Sequence, residues 1–208
     1  MREMREIFFA QKKGGFAMRW LGLTLVLALL GVAEAKAQVV ALGASSTRGF
    51  FLPISDVWPA KLEALLRQRG FNVSVANEGI NSDTSQGMLS RLDSAVPEGT
   101  RVVILACCGN DEVDRNHHVA DHEGNIRTII SRLRARGIAV ISSSDGHTAL
   151  DQEIARNAGA SLCGKIYEGV PREEIEEFWG GKHPTRAGHD IVAARMLPCV
   201  MRALGRKG

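Results

Sequence analysis

From Val39 to the C-terminus, the chain alternates short, continuous apolar runs with longer segments whose apolar residues recur at helical spacing. Uninterrupted apolar runs of four to eight residues are typical of strands that are covered on both faces of a sheet. A regular alternation of such strands with helices predicts one α/β domain, with a mostly parallel sheet and helices on both faces.

The expected elements can be read along the chain. We predict helices over 57–69, 84–95, 125–136, 149–157 and 185–204, and strands over 39–42, 73–76, 101–106, 138–141 and 160–162. Pro198 lies within the last predicted helix and is expected to bend or end it, because proline lacks the N–H that continues a helix.

The N-terminal region has the pattern of a secretory signal peptide. An uncharged apolar stretch over 20–33 follows Lys12, Lys13 and Arg19, and Ala-x-Ala sequences occur at 33–35 and 35–37. We therefore predict a signal peptide over 1–37 and an exported domain, periplasmic or secreted, over 38–208. An uncleaved anchor is the alternative, although the stretch is short for a membrane span, and no stable span is expected after cleavage.

Charge and cysteine content restrict the class of protein further. The net charge is +3 and several basic residues lie near the two ends, so we expect no nucleic-acid partner. Cys163 and Cys199 form a candidate disulfide in an oxidising compartment, while Cys107 and Cys108 match no metal or redox spacing.

The chain has neither a GxGxxG after its first strand nor a Walker A motif, which argues against a nucleotide cofactor.

Polar residues follow three of the predicted strands and precede the last helix. In a parallel sheet these positions share one edge, where binding sites form. They provide a hydroxyl, turns with backbone donors, an amide and an imidazole, which is the set that acyl transfer requires. The segments are 43–47 (GASST), 77–84 (NEGINSDT), 109–111 (GND) and 183–184 (HP).

In their order and in their residues, these four blocks resemble the sequence motifs of the SGNH/GDSL hydrolases. Within that family they are most similar to the periplasmic thioesterase, arylesterase and lysophospholipase type. The resemblance runs from about Val39 to the end of the chain, and 58–60 (WPA) before a Leu-rich helix adds to it. It implies a three-layer α/β/α domain with a flavodoxin-like parallel sheet, the SGNH hydrolase fold. It also implies hydrolysis of a carboxylic ester or thioester, without cofactor or metal.

The resemblance also implies a role for each matching residue. Ser45 would attack the carbonyl carbon, and His183 would accept its proton and later protonate the leaving group. The backbone N–H groups of Ser45 and Ser82 and the side-chain amide of Asn110 would bind the oxyanion. The family has glycine at the position of Ser82, and a backbone donor survives this change provided that the turn does not need a positive φ.

Two further departures affect the site. Ala44 replaces the usual Asp beside the nucleophile, a change that we interpret as tolerable. Gly180 stands where the family has the Asp that orients the histidine. Three interpretations follow: a Ser–His dyad, a substitute carboxylate, or a weakened or non-catalytic module that binds an envelope glycan or lipid. The candidate carboxylates are Glu176, Glu177 and Asp145.

A histidine cluster forms the main alternative site. His118 and His122 are spaced i, i+4 and lie beside His117, a pattern that can bind a metal on a helix. No third ligand is forced nearby, so a polar loop that leads into the next helix is the interpretation we favour.

Overall fold

The computed structural model describes residues 39–113, 121–144, 148–178 and 181–205. Its central sheet has five parallel strands in the order β2-β1-β3-β4-β5, which is the flavodoxin-like order. The predicted fold class is therefore confirmed. The strands are β1 (Val39–Gly43), β2 (Val75–Gly79), β3 (Val102–Ala106), β4 (Ala139–Ser144) and β5 (Ser161–Lys165). A separate antiparallel hairpin joins β6 (Ile175–Phe178) to β7 (Gly181–Pro184).

Eight helices connect these strands within the described residues. They are α1 (Ser45–Arg48), α2 (Trp58–Gln68), α3 (Ser85–Ser90), α4 (Leu92–Ala95), α5 (Asn110–Val113), α6 (His122–Ala135), α7 (Thr148–Asn157) and α8 (Arg186–Leu204). Short 3₁₀ turns occur at Ile54–Asp56 and Arg172–Glu174.

Side chains of the central strands point alternately into two cores, one on each face of the sheet. Val40 and Leu42 of β1 pack with α3, α4, α6 and α7, whereas Val39 and Ala41 pack with α2 and α8. All four are fully buried, which explains why β1 is a continuous apolar run rather than an alternating one.

One helix prediction differs from the structure, and one of the two effects expected of Pro198 does not occur. The single helix expected over 84–95 is divided into α3 and α4, with Arg91 between them (φ −102°, ψ 9°). The last helix does not end at Pro198 but continues to Leu204. Its residues on both sides of the proline, including Met196 and Val200, are fully buried against the sheet. This tertiary packing stabilises the turn that the proline weakens.

The β6–β7 hairpin was not predicted from the sequence. Its strands have only four residues each, and β6 carries two adjacent glutamates, Glu176 and Glu177, instead of a buried apolar run. The hairpin lies directly before α8 in the chain and contains His183, so this short element carries the candidate base.

The candidate disulfide is present. Cys163 on β5 is bonded to Cys199 on α8, and their Cα atoms are 6.1 Å apart. Cys107 and Cys108 are both buried immediately after β3.

No helix among the described residues is both long enough and apolar enough to cross a bilayer. The predicted signal peptide over 1–37 lies outside the described part of the chain and stays a prediction.

Replacing Cys163 and Cys199 together by serine should lower the free energy of unfolding by about 2–4 kcal/mol. The bridge closes a loop with a sequence separation of 36 residues, so its loss enlarges the conformational freedom of the unfolded chain. Guanidinium chloride unfolding at one pH checks the value. An unchanged midpoint and slope would contradict a stabilising bridge.

Candidate active site

Ser45 and His183 lie within hydrogen-bonding distance of each other although 138 residues separate them in the sequence. The Ser45 Oγ is 3.0 Å from the His183 Nε2. Ser45 is the first residue of α1, directly after β1, and it is half-buried; His183 lies on β7 and is buried. At this distance the hydroxyl can donate a hydrogen bond to the imidazole nitrogen, which is the arrangement that a serine nucleophile and its general base require.

Two glycines allow the turn that carries Ser45 to lie close to the neighbouring strands. A Cβ on Gly43 would come within 2.8 Å of the Ala106 carbonyl oxygen at the end of β3. A Cβ on Gly79, the last residue of β2, would come within 2.7 Å of the Arg48 Cα in α1. Side chains at these positions would displace α1, and Ser45 with it.

Ser82 lies in the turn that follows β2, and its backbone has φ 60°. The sequence prediction allowed a side chain here on the condition that the turn did not need a positive φ, and that condition is not met. A non-glycine residue in this left-handed region costs roughly 1–2 kcal/mol. Ser82 is exposed, and its backbone N–H is retained as a donor.

Asn110 begins α5 directly after the β3 end, and it contacts the same turn. Its Nδ2 donates a hydrogen bond to the Asp83 carbonyl oxygen at 2.8 Å. A side-chain amide carries two N–H donors, so this bond uses only one of them. Asn110 and the turn that contains Ser82 are therefore held together at the carboxyl edge of the sheet.

Arg91 also joins these segments, a role that no pattern in the sequence indicated. Its Nη2 donates to the carbonyl oxygens of Glu78 (2.9 Å) and Gly43 (3.3 Å), and it forms an ion pair with Asp83 at 2.7 Å. The guanidinium thus links the ends of β1 and β2 to the turn between β2 and α3. Burial raises the pKa of Glu78, whereas the positive charge of Arg91 acts against this rise.

The surroundings of His183 favour a neutral imidazole. The ring of Phe50 stacks on it, with centroids 4.6 Å apart and planes 18° from parallel. Burial lowers the pKa of His183 because desolvation disfavours the charged form. A neutral ring can accept a proton near neutral pH, which is what a general base must do.

The three candidate carboxylates differ in position. Glu176 on β6 is paired directly with His183 on β7, so both side chains lie on the same face of the hairpin. Glu177 is paired with Lys182 on the other face, and its carboxylate is 2.9 Å from Arg172. Asp145, and also Gly180, lie outside the described residues.

Trp58 connects the nucleophile turn to the helix that follows His183. Its Nε1 donates to the Ser46 carbonyl oxygen, and its backbone N–H donates to the Nδ1 of His189 on α8, both at 3.2 Å. His189 is buried, and its pKa is lowered to about 4, mainly by burial and also by the charge of Lys61. It therefore remains neutral and accepts this hydrogen bond. The Trp-Pro-Ala segment pointed to Trp58, but nothing in the sequence pointed to His189.

His122 is held between two buried carboxylates. Its Nδ1 lies 2.6 Å from Asp111 Oδ2 and its Nε2 lies 2.7 Å from Asp151 Oδ1. The hydrogen bonds to Asp111 and Asp151 raise the pKa of His122 to about 9, although burial opposes the rise. Burial also acts to raise the pKa of Asp111, but the hydrogen bonds from His122 and Ser85 outweigh it and the net shift is downward.

The same region contains the residues whose types could hold a metal ion. Within the described residues, ligand atoms of Cys108, Asp111 and His122 all lie within 4.8 Å of one another. Both ring nitrogens of His122 face carboxylate oxygens at hydrogen-bond distance, so we assign the cluster as a hydrogen-bonded network. His117 and His118 lie outside the part of the chain that the structure describes. The expectation that the site needs no metal or cofactor stays a prediction.

Known proteins resemble this chain in sequence and in fold. The model of the GDSL-like lipase/acylhydrolase family matches residues 41–191, which include Ser45, Ser82, Asn110 and His183. An arylesterase from Vibrio mimicus is 28% identical over 124 residues, which are 60% of this chain and 62% of the relative. Esterase TesA from Pseudomonas aeruginosa is 28% identical over 117 residues, which are 56% of this chain and 58% of the relative. The alignments thus span about three fifths of each curated relative.

The crystal structure of TesA has the same fold. It superimposes with a TM-score of 0.69 at 23% identity and covers 79% of this chain and 98% of that structure. At this identity the likeness concerns the arrangement of strands and helices.

The folded state should lose stability as the pH rises through the pKa of His122. Because this pKa is raised from 6.5 to about 9, the contribution is fully present below pH 6.5 and is lost as the pH passes about 9. Its size is at most about 3 kcal/mol. Urea unfolding of the protein and of the His122→Gln variant at pH 6.5, 8 and 9.5 measures it as the pH-dependent difference. A constant difference would contradict this coupling.

Proposed function

Because the chain belongs to the GDSL-like lipase/acylhydrolase family, the SGNH/GDSL hydrolases, we propose that it hydrolyses carboxylic esters or thioesters through an acyl-serine intermediate on Ser45. The observation that carries the proposal is the 3.0 Å distance between the Ser45 Oγ and the His183 Nε2. The names of its relatives, an arylesterase and an esterase, agree with this reaction class.

The reaction would begin with transfer of the Ser45 hydroxyl proton to the His183 Nε2 while Oγ bonds to the substrate carbonyl carbon. The tetrahedral intermediate then collapses, the bond to the alcohol or thiol breaks, and His183 protonates the leaving group. Water attacks the acyl-serine with His183 again as base. The acyl–Oγ bond then breaks as His183 returns the proton to Oγ, which releases the carboxylic acid and restores the Ser45 hydroxyl.

The oxyanion of each tetrahedral intermediate would bind three donors: the backbone N–H groups of Ser45 and Ser82 and the amide of Asn110. These residues follow the carboxyl ends of β1, β2 and β3. The bond from Asn110 to the Asp83 carbonyl supports the assignment, because it holds the amide beside the Ser82 turn.

Glu176 is the carboxylate that we propose for orienting His183 in place of the family Asp. Directly opposed residues of an antiparallel pair have Cβ atoms about 4.5–5.5 Å apart, so Glu176 and His183 are neighbours on one face of the hairpin. Glu177 is less suited because its partner is Arg172. The alternative of a non-catalytic binding module, based on Gly180, is not favoured by the family or by the Ser45–His183 geometry.

We also propose that the domain acts after export, in the periplasm or as a secreted protein. The N-terminal sequence pattern supports this location. The disulfide between Cys163 and Cys199 supports it as well, because such bonds persist in oxidising compartments.

The Ser45→Ala variant should lose hydrolysis of p-nitrophenyl acetate and butyrate by about three to four orders of magnitude in kcat/KM. A fluorophosphonate should label the unmodified protein at Ser45, as mass spectrometry of the peptides would detect. Ser46→Ala is the matched control, since it removes the adjacent hydroxyl and should still be labelled. Labelling that persists in Ser45→Ala would refute the nucleophile.

The Glu176→Gln variant should lower kcat by about ten- to a hundredfold, because the imidazolium loses its neighbouring negative charge. The pH profile of kcat/KM should also shift, with a lower apparent pKa for the base. Glu177→Gln is the control, with less than about a twofold expected change, because its carboxylate lies on the other face of the hairpin. Equal effects of the two variants would contradict the assignment.

A further inference from the structure

Asp111, the second residue of α5, links Asn110 to the start of α3. One oxygen of its buried carboxylate accepts a hydrogen bond from the Ser85 backbone N–H at 2.8 Å, and the other lies 2.6 Å from His122 Nδ1. The preceding residue, Asn110, donates to the Asp83 carbonyl oxygen. The consecutive residues 110 and 111 thus contact the two ends of one short segment, 83–85, immediately after Ser82.

The contacts of His122 continue this chain of hydrogen bonds to the end of β4. Its Nε2 lies 2.7 Å from Asp151 Oδ1, and the other oxygen of Asp151 accepts from the Ser144 hydroxyl at 2.5 Å. The side chains of Asp111 and Asp151 are only 2% and 4% exposed. The network thus runs from Ser144, at the end of β4, to the residue that follows Asn110.

The protonation state of His122 follows from this geometry. A neutral imidazole has one N–H and can donate to only one of the two carboxylates, whereas an imidazolium donates to both. Two charge-assisted hydrogen bonds are stronger than neutral ones, and a buried carboxylate without a donor would be costly. The pKa of His122, raised to about 9, agrees with a cation at neutral pH.

We propose that His122 is a positioning residue of the hydrolytic site: as an imidazolium bound by Asp111 and Asp151, it fixes Asp111 and so holds the Asn110 amide in place for the oxyanion. The inference rests on the proposed function, in which Asn110 is an oxyanion donor. Such donors must lie about 2.7–3.1 Å from the developing charge, so a small displacement of Asn110 weakens its hydrogen bond to the oxyanion. His122 would act through Asn110, without touching the substrate.

A double-mutant cycle on the full chain tests whether His122 acts through Asn110. For p-nitrophenyl acetate, Asn110→Ala should lower kcat about a hundred- to a thousandfold. His122→Gln should lower kcat about tenfold with KM within about twofold, because the amide is displaced rather than removed. The double variant should be no slower than Asn110→Ala by more than about twofold, because His122 then has no donor left to position.

Two further variants separate positioning from general destabilisation. Arg132→Gln, also on α6, removes an exposed ion pair with Asp93 and should leave kcat unchanged. Asp151→Asn removes the outer carboxylate and retains the His122–Asp111 contact. Asp151→Asn should lower kcat by less than His122→Gln does. In the Asn110→Ala background, Asp151→Asn should not lower kcat further. This variant keeps the test decisive if His122→Gln does not fold.

Nuclear magnetic resonance of ¹⁵N-labelled histidine provides a readout that is independent of activity. At pH 7.5 both ring nitrogens of His122 should carry protons, and Asp151→Asn should lower the pH at which one is lost. A ring that is neutral at this pH would overturn the proposal.

The kinetic outcomes distinguish a failure of this inference from a failure of the proposed function. If Asn110→Ala lowers kcat but the losses multiply in the double variant, or if His122→Gln leaves kcat unchanged, His122 does not position Asn110. If Asn110→Ala itself leaves kcat unchanged, the oxyanion role of Asn110 fails, and this inference fails with it.

Discussion

The site depends on one topological constraint, the reversal of strand order at β1. Because β2 lies on one side of β1 and β3 on the other, the connections that leave these strands diverge at their carboxyl ends, which is where ligand sites form in open α/β sheets. The turns with Ser45, Ser82 and Asn110 all emerge at this edge. Gly43 and Gly79 let them approach closely, and Arg91 binds carbonyl oxygens of both β1 and β2.

His183 reaches the same edge from a distant part of the sequence. It lies on the β6–β7 hairpin, directly before α8, and α8 packs against α2 through the apolar core on one face of the sheet. Trp58 links the turn that carries Ser45 to α8, because one of its N–H groups donates to the Ser46 carbonyl oxygen and the other donates to His189 on α8. The distance between Ser45 and His183 is thus maintained by buried contacts outside the reacting pair.

Three histidines of similar chemistry occupy three different electrostatic environments. Burial lowers the pKa of His183, and it lowers that of His189 to about 4, where a hydrogen bond to the backbone of Trp58 uses the neutral ring. His122 lies between Asp111 and Asp151, and its pKa is raised to about 9. The local surroundings therefore give one residue type three roles: His183 is a candidate base, His189 a structural hydrogen-bond acceptor and His122 a cation held in place.

The sequence alone determined the alternation of strands and helices, the parallel sheet and the four polar blocks, because periodicity and strand-end position are local properties. Ser45 and His183 could be named before their contact was known, as could the disulfide pair. Only the tertiary structure decided the register that sets Glu176 opposite His183, the course of α8 through Pro198 and the positive φ of Ser82. The network of His122 with Asp111 and Asp151 could not be predicted from the sequence either. Its carboxylates lie 11 and 29 positions from His122 in the chain, and packing that no local pattern encodes brings them together.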